Sequence, residues 1–149
     1  MVLYFQVYFI NPFFYIYAVT ESSLVEICNN LRKVVKADLI LNDISGKGIK
    51  QSEKYLKKVI KIDFPSDAKQ WKAIEDYSKI RNILIHSDGL FPNNNKEFSS
   101  LITKYRGLNN RTYYDENNYI TLEKEFVLDV LEDVRNFFLQ LQQGMKKLR

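Results

Sequence analysis

The hexapeptide Arg81-Asn82-Ile83-Leu84-Ile85-His86 holds the side chains best suited to chemistry. Histidine titrates near neutrality, at about 6.5 when unperturbed, so it can take a proton in one step and return it in another. Arginine stays charged and presents a planar fork of donors that matches phosphate or carboxylate oxygens. Helical spacing places Asn82 and His86, four residues apart, on one face. Arg81 falls beside the core face, about 140° from His86 around the helix. A site using both therefore needs Arg81's long reach, unwinding at Ser87-Asp88-Gly89, or a two-fold partner that supplies the other half. The structural reading stays open beside this one. A histidine at a helix end interacts favourably with the dipole, and an arginine beside a core face often pairs with a carboxylate.

The helix that must carry these residues starts near Ser66 or Asp67, with Gln70 three positions after Asp67 as in a capping box. It runs through Trp71, Ile74, Tyr77, Ile80 and Leu84, and Ser87-Asp88-Gly89 stops it. Ile83 and Ile85 flank the core face on opposite sides, so the end of the helix is apolar over most of its circumference. Such a helix is buried on two sides, one against its own core and the other against a second chain.

Around it, apolar residues at helical spacing from Phe14 through Leu24, Cys28 and Leu31 to Val35 predict a first long helix, with Pro12 at its opening or at a kink. A turn at Asn42–Gly48 leads to a second helix with Ile49, Leu56, Val59 and Ile60 on one side, ended by Pro65. Pro92-Asn93-Asn94-Asn95 and Gly107-Leu108-Asn109-Asn110 read as loops, with a short helix near Glu97–Tyr105 between them. Tyr113-Tyr114 and Tyr119-Ile120 suit a small hairpin. Thr121 is placed to cap a last helix in which Phe126, Val127, Val130, Leu131, Val134, Phe137, Phe138 and Leu141 repeat at helical spacing, and which Gly144 and a basic tail end. The expected fold is all-α: a four- to five-helix up-down bundle in one domain over 1–149, with a small hairpin insertion near 112–121.

Composition narrows the functions. The 149 residues carry a net charge of +4, a mild excess that permits an acidic partner without requiring one. The single cysteine and single histidine exclude an internal disulfide framework and a zinc site, and suit a reducing, cytoplasmic setting. The apolar stretch 1–19 is interrupted by Gln6, Asn11 and Pro12 and lacks banded aromatics, so it reads as a buried helix or helix pair and no stable membrane insertion is expected. No basic region precedes it as in a signal peptide. No glycine-rich phosphate loop, serine-hydrolase arrangement or paired-carboxylate signature occurs, and no cofactor is expected.

The hexapeptide, with a polar residue directly after its arginine, resembles the R-x4-6-H motif of HEPN domains (higher eukaryotes and prokaryotes nucleotide-binding). The Trp71-led helix before it and Gly89 after it fit the same pattern. The resemblance implies a helical bundle that dimerises along its motif helices. It also implies a metal-independent endoribonuclease of the toxin or phage-defence kind, with Arg81 and His86 catalytic and Asn82 in support. An inactive HEPN-like module that binds a protein, nucleotide or RNA is the alternative. The implied partners are a second copy, RNA and a nucleotidyltransferase-like antitoxin.

Other residues carry two readings each. Glu21, inside the apolar stripe of the first helix, either holds Arg81 in place or reaches to the edge of the bundle. Lys47, Lys50, Lys54, Lys57, Lys58 and Lys61 form a stripe that would track an RNA backbone or simply face solvent. Tyr113, Tyr114 and Tyr119 would stack on bases or cover a core edge. Cys28 reads as a small buried hydrophobe.

Overall fold

The structure, a computed structural model, describes residues 2–90, 95–112, 114 and 116–148, with side chains from residue 9 onward. It is all-α in class. The helices are α1 (Val2–Val35), α2 (Gly48–Tyr55), α3 (Lys69–His86), α4 (Lys96–Lys104) and α5 (Lys124–Met145), with one antiparallel pair, β1 (Leu108–Thr112) and β2 (Asn118–Leu122), before α5. Pro12 lies inside α1 rather than at its start, so the helix continues past a residue that cannot donate to the preceding turn. Lys36, at φ 53°, ends α1, and the Ala37 amide donates back to the Arg32 carbonyl at 3.1 Å. Beyond α2 the chain widens into one π turn over Leu56–Ile60, with Leu56 and Ile60 both turned inward.

The residues group into two compact units. The first comprises 1–17 and 73–132. Its centre is a ring cluster: Phe13 lies 5.6 Å from Phe126 and 6.4 Å from Tyr77, and Tyr77 lies 5.4 Å from Tyr105. Edge-to-face pairs such as Tyr77 on Phe126, at 5.7 Å and 89°, suit the ring quadrupoles. Gly107, at φ 73°, is required here. A Cβ at that position would stand 2.6 Å from the Phe126 amide nitrogen. Strand register is fixed by Leu108 opposite Leu122 and Asn110 opposite Ile120, which keeps Leu108, Ile120 and Leu122 buried.

The second unit comprises 18–72 and 133–149. Trp71 stacks on Phe137 at 5.0 Å and meets Phe64 edge-on at 4.8 Å. Leu24, Cys28, Tyr55, Leu56 and Leu141 are buried with them. Gly144 lies so close to the 61–64 segment that a Cβ would overlap the Asp63 carbonyl oxygen.

Four expectations need correction. Leu108-Asn109-Asn110 is strand rather than loop, so the hairpin starts four residues before the expected 112. Pairing with β2 overrides the turn preference of the asparagines. Thr121 is a buried β2 residue, and α5 begins at Lys124. Gly144 lies within α5, where it serves close packing. The Ser66 hydroxyl, one of the two expected caps, donates instead to Glu53 at 2.9 Å, and α3 begins at Lys69. The loop signal at 92–94 and the Tyr113 position lie outside the described residues. Among the described residues no helix is long and apolar enough to cross a membrane.

Candidate functional site

The end of α3 is held by its apolar face and by its stop. Ile80, Ile83 and Leu84 are buried, while Asn82, Ile85 and His86 are exposed. The expected flanks therefore differ: Ile83 is covered and Ile85 is 41% exposed. After His86 the chain turns sharply. The Ile83 carbonyl accepts from the Ser87 amide at 3.0 Å and from the Gly89 amide at 3.4 Å. Asp88 (φ 50°) and Gly89 (φ 79°) are both left-handed, which ends the helix as Ser87-Asp88-Gly89 predicts. The Gly89 carbonyl then accepts from the Ile120 amide at 2.8 Å, and Leu90 bridges to Tyr119. The helix end is thus pinned to β2.

On this end, Arg81 and Asn82 are brought together. The guanidinium donates to the Asn82 side-chain carbonyl at 3.0 Å and lies 6.0 Å from the centre of the Tyr17 ring. Among the described residues no carboxylate forms an ion pair with Arg81. His86 stands one turn beyond Asn82, about 6 Å along the axis. Among the described residues its ring makes no hydrogen bond or ion pair. The structure therefore sets the Arg81 guanidinium, the Asn82 amide and the exposed His86 imidazole along one helix end.

The remaining sequence candidates are placed differently. Glu21 belongs to the second unit, half-buried, with its carboxylate beside Gly48 at the start of α2. Of the lysine stripe, Lys50 pairs with Glu53 at 2.9 Å and covers Trp71, Lys54 binds the Ser45 hydroxyl, and Lys57 lies 3.9 Å from Glu53. Lys47, Lys58 and Lys61 are exposed with no such partner among the described residues. Tyr114 is fully exposed and Tyr119 is half-buried in β2. Cys28 is buried, and burial pushes its thiol up to about 11, against a weak donation to the Ser52 carbonyl at 3.8 Å.

Sequence reading missed the polar pins around this site. Asp76 accepts from the Tyr105 hydroxyl at 2.7 Å and from Lys104 at 2.6 Å, tying α4 to α3. Arg106 grips Asp129 with two bonds of 2.7 and 2.9 Å, which holds the Asp129 carboxyl below the ordinary carboxylate range. These partners lie 23 to 29 residues apart, so no local pattern marks them. Among the described residues no group of three or more His, Cys, Asp or Glu is placed to hold a metal. No family model, no characterised protein and no solved structure matches the chain.

Proposed function

We propose that the chain is a metal-independent endoribonuclease of HEPN type that works as a homodimer, with Arg81 and His86 at the interface cleft. The observation that carries this reading is the exposed His86 imidazole one turn from an Arg81–Asn82 pair that, among the described residues, has no carboxylate partner. In this scheme one His86 takes the proton of a ribose 2′-hydroxyl, and that oxygen attacks the adjacent phosphorus. Arg81 donates to the phosphate oxygens as charge builds on them. The bond to the 5′-oxygen breaks, and the partner's His86, protonated, gives that oxygen its proton. The products are a 2′,3′-cyclic phosphate and a free 5′-hydroxyl. Lys47, Lys58 and Lys61, exposed and without an ion pair among the described residues, are the members of the stripe best placed to meet an RNA backbone.

A second reading, an inactive module of the same type, draws on Ile85 and Leu90, each 41% exposed close to His86. Apolar side chains there suit a covering protein, such as a nucleotidyltransferase-like antitoxin. Total RNA incubated in EDTA with the wild type and with His86→Ala separates the two. Cuts made only by the wild type, bearing 2′,3′-cyclic ends, support the enzyme. No cuts by either protein favour the module, and equal cutting by both ends the proposal for His86.

A further inference from the structure

Helix α5 has one face in the core and a regular pattern on the other. Phe126, Val130, Phe137 and Leu141 are buried on the first. About 180° around the helix, Leu128, Glu132, Arg135 and Leu139 follow one another at spacings of four, three and four. This is the rhythm of a coiled-coil seam, yet it points to solvent. Leu128 is 50% exposed, Leu139 47%, and Leu131 on the flank 52%. Glu132 and Arg135 are exposed and, among the described residues, make no hydrogen bond or ion pair, with each other or with another side chain. The field of Glu132 reaches the Arg106 guanidinium.

The sequence of this stripe is complementary to itself when reversed. Place a two-fold axis across α5 between Asp133 and Val134. Glu132 then falls level with the partner's Arg135, and Leu128 level with the partner's Leu139. In an antiparallel pair of helices, such layers combine one seam position from each strand, as these do. The symmetry doubles every contact, giving two charge pairs at the centre and a leucine layer at each end. A parallel pairing would instead set Glu132 against Glu132 and Arg135 against Arg135.

We propose that this face of α5 is an interface with a second copy of the same chain, antiparallel and centred between Asp133 and Val134. Charge complementarity under that one axis selects the occupant, and the charged layer fixes the register against the slip that leucines alone would tolerate. The inference does not depend on the ribonuclease reading. It adds a contact distinct from the one along α3, and a chain with both contacts assembles beyond a dimer.

The test is independent of activity: sedimentation equilibrium of the full chain as wild type, Glu132→Arg, Arg135→Glu, and an equimolar mixture of the two variants. Each single reversal sets like charges against each other twice per interface and should weaken self-association by about tenfold or more. The mixture restores opposite charges in mixed pairs, so association should return toward wild type. A unchanged circular-dichroism spectrum and melting point in each variant establishes that the exposed substitutions leave the fold intact. A wild type that stays monomeric throughout, reversals without effect, or a mixture that fails to recover would each overturn the proposal. Loss of RNA cleavage by His86→Ala with its assembly unchanged leaves the α5 interface standing, which separates the two claims.

Discussion

Replacing Gly144 with Ala sets two known effects against each other. In an exposed helix interior the change stabilises by about 1 kcal/mol, because alanine loses less backbone freedom on folding. Here the added methyl would overlap the Asp63 carbonyl oxygen and stand 3.1 Å from its carbonyl carbon. Carbon contacts are most favourable at about 3.5–4.0 Å, so helix and segment must part by roughly 1 Å. The obstacle is backbone, which cannot rotate away. Its neighbours Ile62 and Phe64 are buried, and Lys61 before them is left-handed. Overpacking of this kind costs about 1–3 kcal/mol. With the full clash, the upper part of that range applies and the net loss is about 1–2 kcal/mol. At about 2–4 °C per kcal/mol for a chain of this size, the melting point should fall by several degrees. Thermal and urea unfolding followed by circular dichroism would measure it, with exposed Gln143→Ala as a control expected within about 0.5 kcal/mol of wild type. A Gly144→Ala variant more stable than wild type would refute the close approach of α5 to Asp63.

Further outcomes follow from other contacts. Cys28, with its thiol raised by burial, should resist a disulfide reagent at pH 8 in the folded chain and react at once in denaturant; rapid reaction without denaturant would show the site to be open. Asp129 has a lowered pKa in the folded chain, so the stabilisation it gains from Arg106 is present above the ordinary carboxylate range and is lost as pH falls through the folded value. The melting-point difference between wild type and Arg106→Ala should therefore be steady near neutrality and shrink in acid; a difference that grows in acid would contradict the pairing. On the proposed ribonuclease reading, Arg81→Lys keeps the charge but loses the planar fork and the bond to Asn82, so cleavage should fall by about 10²-fold with the melting point little changed. Cleavage at the wild-type rate would remove the guanidinium from the scheme.

What the sequence disclosed depended on how local the cause was. Helical periodicity located α3 and α5, and Ser87-Asp88-Gly89 marked the end of α3 because a left-handed stop is written in the residues that adopt it. The burial of Cys28 followed from its place in an apolar stripe. By contrast, the asparagines of β1 have turn preferences, and only a partner strand makes them extended. Gly144 near a helix end looks like a terminator until the Asp63 carbonyl is beside it. For the candidate site, the helical wheel placed Asn82 and His86 on one face, and the structure exposes both. The bond from Arg81 to Asn82 was not legible on the wheel, because neighbours in sequence point to different sides of an ideal helix and only the length of the arginine joins them.

The bond from the Ile120 amide to the Gly89 carbonyl has a consequence for motion. The last turn of a helix is ordinarily the first part to fray. At the end of α3, fraying would pull on β2 and break its bridge at Tyr119 as well. The final amides of α3 and those of the hairpin should then exchange with solvent as one cooperative unit. His86 would ride on that unit, and any partner that clamps the hairpin would also quiet the histidine from a distance.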